Sequence, residues 1–231
     1  MSIAAALPRD RLIGEFSLWS ADLANLERDL ARIEPYADIQ HVDVADGVFA
    51  PAFLFFPDLV ARIAQLTRRP IHVHLMVEGA IVEAQTRAFV EAGAALVTVH
   101  AENGDAGLRA ARLAREMGAE AGVVLRLETP VAAIAPFLGE VAFVTLLGTA
   151  IGVKGQGLSE LACDRLGEAR AMIAAGGRDI VLAADGGIRH ETVPRLHAAG
   201  ADTVVLGSLA FGAEDLGERM RWLRGLPGPS R

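Results

Sequence analysis

Apolar positions along the chain follow two rhythms. Short runs in which most residues are apolar recur at 13–19, 39–45, 71–77, 96–101, 121–127, 143–148, 180–185 and 203–208. Their length and β-branched content predict strands buried on both faces. Between them lie amphipathic stretches of helical period, such as LANLERDLARIEPY (23–36), IVEAQTRAFVEAG (81–93), LRAARLAREMG (108–118) and ETVPRLHAAG (191–200). Three of these end on Gly93, Gly118 and Gly200, where a left-handed cap would stop a helix before the next strand. Eight strands in 231 residues give roughly 29 residues per unit, close to one βα repeat. The predicted architecture is therefore α/β, a single (β/α)8 TIM barrel over residues 1–231, with its core at about 13–226. The rival is a doubly wound open sheet, which would carry a glycine-rich turn after its first strand. The segment FSLWSADLANL has no glycine.

Composition narrows the function classes. With 52% hydrophobic and 22% charged residues the chain can bury a sizeable core, which excludes disordered and fibrous classes. Its 22 Lys and Arg against 29 Asp and Glu leave a net charge of −7, without a basic run. That argues against a broad nucleic-acid or anionic-membrane surface, while leaving room for a local basic pocket. Cys163 is the single cysteine, so no intramolecular disulfide can form and nothing points to an oxidising compartment. The start, MSIAAALPRDRL, lacks the longer apolar core of a signal peptide, and no stretch is long enough to span a bilayer. The cytoplasm is the expected location, with neither nucleic acid nor membrane as a partner.

In a barrel of this kind the chemistry sits at the C-terminal ends of the strands. The second strand ends in HVDVADG, and alternation puts His41 and Asp43 on one face. The third, IHVHLM, puts His72 and His74 on a common face, and the seventh ends on Asp185. A lone strand histidine is usually a hydrogen-bonded core residue. Imidazoles and carboxylates from three different strand ends stand apart from that case, because burying them without a shared purpose is costly. Two of each can hold one divalent metal with positions left for substrate.

Glycines mark a second constellation. The loop after the sixth strand reads GTAIGVKGQG, and the seventh and eighth strands end in DGG and GS. Gly152, Gly155, Gly186, Gly187, Gly207 and Ser208 thus gather at adjacent strand ends, where exposed backbone N–H groups form an anion cradle needing little net positive charge. Lys154 adds a cation. Any one of these glycines could serve only as a turn.

With these residues in view, the sequence resembles the ribulose-phosphate 3-epimerase family from about Ser17 to Asp215. The resemblance is carried in order by SLWSADLANL, HVDVADG, HVHLMV, VTVHAE, GVKGQ, ADGGI and LGSLAFGAED. It implies one divalent metal ion (zinc, iron, manganese or cobalt) held by His41, Asp43, His74 and Asp185, with Asp43 and Asp185 also acting as acid and base. It implies a phosphate cradle of Gly152, Val153, Lys154, Gly155, Gly186, Gly187, Gly207 and Ser208. Ser17 matches a serine at the sugar end and Met76 a methionine lining the site. The implied partner is a phosphorylated ketose, and a homo-oligomer is expected.

The chain departs from the family pattern near the sugar. HVDVMDGHFVPN becomes HVDVADGVFAPA, which introduces Ala45, Val48 and Ala52, and MTVNPGFGGQ becomes LGTAIGVKGQ. Ala45 and Ala52 are expected to enlarge or reshape the pocket and alter which ketose phosphate fits. His72 stands where the family usually has an acid, so a carboxylate supporting the metal ligands is expected to be missing. Arg126 replaces an asparagine. His100 is expected to support rather than touch substrate, and Trp19 to pack at the barrel mouth. A barrel decarboxylase or aldolase on a keto-sugar phosphate is the rival enzyme reading. Decarboxylases of the related group use Asp-x-Lys-x-x-Asp, and the second strand offers Asp43, Ala45 and Asp46 without lysine. A catalytically silent sugar-phosphate-binding protein is the non-enzymatic alternative, with little reason to keep both carboxylates.

Overall fold

A computed structural model describes residues 2–226. The ends of the expected 1–231 unit, residue 1 and residues 227–231, lie outside them. Eight parallel strands close into a barrel in chain order: β1 (Ile13–Ser17), β2 (Ile39–Ala45), β3 (Ile71–Met76), β4 (Leu96–His100), β5 (Glu120–Leu125), β6 (Phe143–Leu147), β7 (Val181–Asp185) and β8 (Thr203–Leu206). β8 pairs back onto β1, with Ile13 opposite Thr203 and Phe16 opposite Leu206. Each strand falls within a residue or two of its expected run. Apart from Glu120 and Asp185, at two strand ends, every strand residue is buried, as expected of strands covered on both faces.

Helices cover the barrel between strands. Leu26–Ile33, Val82–Glu91, Gly104–Glu116 and Val193–Ala198 occupy the four amphipathic stretches. They bury residues such as Leu30, Ile33, Phe89 and Ala110 against outward-facing Val42, Val44 and Val97. Gly93, Gly118 and Gly200 have φ of 104°, 90° and 107°, the left-handed geometry that turns each chain into the next strand. The unit between β5 and β6 departs from the repeat. Its connection is a 3-10 helix, Val131–Phe137, preceded by Pro130 and containing Pro136, which lacks the N–H that an α-helix requires there.

The barrel interior grows more polar from bottom to top. Ile13, Ile39, Leu96, Phe143 and Val181 form an apolar floor, plugged from below by Ala4 and Leu7 around the short helix Ile3–Ala6. Above it Glu15, His41, His72, Thr98, Thr145 and Thr203 are all fully or almost fully buried. Ser17, Asp43, His74, His100 and Asp185 stand at the top. The apolar floor and helix layer supply the burial that stabilises the fold, about 1.5–3 kcal/mol for each large side chain. Most groups of the polar tiers are hydrogen-bonded to one another, which offsets the cost of burying them.

Candidate active site

Strand register brings the predicted ligands together. Asp43 of β2 lies opposite His74 of β3, and β7 ends on Asp185. Nδ1 of His74 is 3.3 Å from Oδ1 of Asp43 and 3.7 Å from Oδ2 of Asp185, and Nε2 of His41 is 3.3 Å from the same Asp43 oxygen. One donor atom from each of His41, Asp43, His74 and Asp185 lies within 4.8 Å of the others. Ser17 Oγ donates to Oδ2 of Asp43 at 2.8 Å, fixing that carboxylate from β1.

The charges in this cluster call for a cation. Burial pushes both aspartates up, but His41 and His74 hold Asp43 well below the usual carboxylate range. Asp185 is carried up to about 6 by burial, with the charge of Asp43 adding to it against the pull of His41. Burial depresses His41, yet Asp43 and Glu15 outweigh it and raise its pKa well above that of free histidine. Two carboxylates thus draw positive charge onto an imidazole in the barrel interior, a demand that a divalent cation meets directly. Nε2 of His41 is buried with no hydrogen-bond partner among the described residues. Two imidazoles, two carboxylates and this open nitrogen fit a divalent cation.

Surrounding groups select which nitrogen each imidazole offers. Glu102 accepts from Nδ1 of His100 at 3.0 Å, so Nε2 of His100 is an acceptor and Nε2–H of His74 donates to it at 3.0 Å. Nδ1 of His74 is thereby the nitrogen that faces Asp43 and Asp185 and would be offered to a cation held by them. Burial keeps His100 neutral, its pKa pushed down to about 4. His100 thus bears on His74, one of the expected ligands. Glu102 also accepts from the Arg126 amide at 2.8 Å and from the Thr129 hydroxyl.

Glu15 is the functional candidate that sequence reading missed. Its Oε2 accepts from Nδ1 of His41 at 3.0 Å and from Nδ1 of His72 at 2.6 Å, and its Oε1 accepts from Thr203 Oγ1 at 3.2 Å. Burial opposes its ionisation, but His72 and His41 outweigh burial and hold it well below the usual carboxylate range. The expectation of a missing carboxylate is therefore corrected: one does support His41, and it comes from β1. Alternation was the available signal, since Glu15 lies two residues before inward-facing Ser17.

Above the cluster opens a pocket of about 330 Å³ lined by Ser17, Asp43, His74, Met76 and Asp185 at one end and by residues 149–156, Gly186, Gly187, Gly207 and Ser208 at the other. Every sequence-predicted site residue lines it except His41, which lies beneath as the deepest member of the cluster. Gly152, Gly155, Gly186 and Gly187 have φ between 70° and 88°. At Gly187 a Cβ would fall 2.7 Å from Cα of Leu158, so both conformation and space demand glycine. Trp19, Ser20 and Arg189 also line the pocket. The Lys154 ammonium lies 4.6 Å from the Trp19 ring centroid and donates to the Trp19 carbonyl.

The altered sugar-end positions do not open the pocket as expected. Ala45 packs with Ala50 and Met76, and Phe49, Ala52 and Ile151 close over them. Neither Ala45 nor Ala52 lines the pocket, and Val48 is exposed to solvent. Asp46 holds this loop by accepting from the amides of Val48, Phe49 and Glu78 at 2.8–2.9 Å. Arg126 stacks 3.9 Å above the Phe49 ring and donates to the Phe49 carbonyl at 2.7 Å, tying the β5 end to the β2 loop.

Residues 14–211 match the ribulose-phosphate 3 epimerase family. The chain is 34% identical over 211 residues to a ribulose-phosphate 3-epimerase of Bacillus subtilis, covering 90% of this chain and 96% of that one. It is 37% identical over 204 residues to ribulose-phosphate 3-epimerase 2 of Cupriavidus necator, covering 86% and 84%. Among solved structures, orotidine 5'-phosphate decarboxylase from Pyrococcus horikoshii superposes with a TM-score of 0.67 at 18% identity, over 92% of this chain and 97% of that one. A 3-hexulose-6-phosphate synthase gives a TM-score of 0.68 at 18% identity, over 92% and 98%. At that identity the two structures share the barrel, and nothing about chemistry follows. The chain belongs to the ribulose-phosphate 3-epimerase family.

Proposed function

We propose that this protein inverts carbon 3 of a ketose phosphate, interconverting D-ribulose 5-phosphate and D-xylulose 5-phosphate or a related pentulose or hexulose phosphate pair. The observation that carries this reading is the convergence of His41, Asp43, His74 and Asp185 at one end of a pocket whose other end is built of glycine loops. These four residues would hold one divalent ion, and the donor set suits zinc, iron, manganese or cobalt. When bound, the ion supplies charge stabilisation for the oxygen that becomes negative as a proton leaves the neighbouring carbon.

The chain's own residues do the rest. Inversion needs one group to remove the carbon-3 proton and another to return a proton on the opposite face. Asp43 and Asp185, from β2 and β7, are the two carboxylates at the pocket floor, and they exchange the acid and base roles with the direction of reaction. Ser17 orients Asp43 through its hydroxyl. Backbone amides of Gly152, Val153, Gly155, Gly186, Gly187, Gly207 and Ser208, with the Lys154 ammonium, grip the phosphate. Held away from the reacting carbon, that phosphate orients the sugar and contributes binding energy to the transition state. Met76 and the apolar cluster behind it exclude water from one flank.

NMR in deuterated water tests the reading, following the carbon-3 proton of ribulose 5-phosphate with metal-loaded enzyme and the Asp185→Asn variant. Exchange of that proton with appearance of xylulose 5-phosphate, both lost in the variant, is expected. Bound metal without exchange, across a panel of pentulose and hexulose phosphates, would leave a sugar-phosphate-binding protein instead. The same reading has the enzyme working in the cytoplasm as a homo-oligomer without nucleic-acid or membrane partners. Its acidic balance supports the lack of a nucleic-acid partner and its single cysteine the reducing compartment, and among the described residues no helix is long and apolar enough to cross a membrane. Sedimentation showing only monomer at working concentration would contradict the oligomer.

A further inference from the structure

Glu15 is a fully buried carboxyl group in the middle of the barrel, and it touches neither the pocket nor the aspartates proposed to move protons. What it touches is informative. Its Oε2 sits between two imidazoles, 3.0 Å from Nδ1 of His41 and 2.6 Å from Nδ1 of His72, whose rings stand edge to face with centroids 4.6 Å apart. A carboxylate only accepts, so both Nδ1 atoms carry hydrogen, and Nε2 of His41 becomes the nitrogen presented to the cluster. His72 is itself anchored, its Nε2 accepting from Thr98 Oγ1 at 2.9 Å. It braces Glu15 from the β3–β4 side and offers no free nitrogen to a metal.

We infer that Glu15 is the positioning residue for His41, delivering from β1 the carboxylate support that His72 excludes from β3. The inference rests on reading His41, Asp43, His74 and Asp185 as the metal site. The alternative, a second metal among Glu15, His41 and His72, is opposed by spacing. Ligand atoms around a tetrahedral zinc stand about 3.3 Å apart, given bond lengths near 2.0–2.1 Å. The 2.6 Å separation of Glu15 and His72 is that of a charge-assisted hydrogen bond.

The pairing is reciprocal, which makes it testable by moving the acid. Asp at position 72, on β3 beside His41 in the strand register, restores a carboxylate from the other side. The full chain is compared with Glu15→Gln, Glu15→Ala and the double variant Glu15→Ala/His72→Asp. Zinc affinity is read by competition with a chromophoric chelator, the ligand field by the visible spectrum of the cobalt-loaded protein, and folding by circular dichroism. Glu15→Gln preserves volume, so it carries the test even if Glu15→Ala does not fold. Zinc affinity about 10–100-fold weaker in Glu15→Gln is expected. A shifted cobalt spectrum, substantial recovery in the double variant and one metal per chain throughout are expected with it. Unchanged affinity in folded Glu15→Gln would overturn the inference, as would a folded double variant without recovery. Two metals per chain, one lost on substituting Glu15, would replace it with a second site. Failure of the unmodified protein to bind zinc or cobalt would instead bring down the metal-site reading beneath it.

Discussion

The two ends of the pocket are built from different materials. Strands β1 to β4 and β7 contribute side chains: Ser17, His41, Asp43, His74 and Asp185, backed by Glu15, His72, His100 and Glu102. The loops after β6, β7 and β8 contribute mainly backbone, exposed after β6 and β7 by glycines at positive φ. A side-chain site depends on which atoms meet and allows compensation between neighbouring strands, as when Glu15 stands in for an acid absent at position 72. A backbone site depends on conformation, so it tolerates a changed loop sequence provided the left-handed positions survive. The loop 147–156 has lost an Asn-Pro pair and gained Lys154, yet Gly152 and Gly155 retain φ of 70° and 81°.

If this division is sound, the largest loss comes from the side-chain end. Asp43→Asn removes a ligand and a proton-transfer group while keeping the volume and the Ser17 contact. A fall in kcat of about 10³–10⁴ is expected, with weaker metal binding and KM changed far less. Initial-rate kinetics at saturating metal would check it, and a variant losing less than about tenfold in kcat would remove Asp43 from the proton-transfer pair. The backbone end should fail differently. Gly187→Ala places a methyl against the Leu158 backbone at a φ of 70°, so the loop must shift. The expected result is about a tenfold or greater rise in KM with metal affinity unchanged. Loss of metal with KM preserved would break the division between the two ends.

The same contrast explains what could be read from sequence. Strands and their inward faces were legible because alternation and apolar runs are local, which brought forward His41, Asp43, His72, His74 and Asp185, while the choice of His74 over His72 came from the family resemblance. The glycine cradle was legible because φ > 0 leaves a residue-type signature. Glu15 escaped because its role depends on register between β1, β2 and β3, a non-local property, although a charge at an inward barrel position was a usable warning. Ala45 and Ala52 misled for a related reason. Removing side-chain volume predicts a larger pocket only if nothing packs over it, and here Phe49, from the loop held by Asp46, and Ile151, from the loop after β6, pack across the gap. The missing α-helix between β5 and β6 was written in Pro130 and Pro136.

The smallest expected effect sharpens the comparison from the supporting side. Glu102 lies two contacts from the proposed metal site, through His100 and His74, and its carboxylate is the acceptor that orders both rings. Burial raises its pKa, but hydrogen bonds from His100 and Thr129 outweigh burial and bring it down to about 2 from 4.5. Because the folded-state value is depressed, the ionised group stabilises the fold above the unfolded-state pKa, and that contribution disappears as pH falls from about 4.5 to about 2. Glu102→Gln should therefore cost about 1–2 kcal/mol near neutral pH. The gap from the unmodified chain should close as the solution is acidified through that window. Urea unfolding of both proteins across pH 7 to 3, with chelator present so that metal release does not enter, measures it. A gap constant with pH would mean that the carboxylate supports the site by shape alone. Widening on acidification would reverse the sign and place the proton on Glu102 in the folded protein, which would leave His100 free to turn its other nitrogen toward His74 and dissolve the ordering on which that ligand depends.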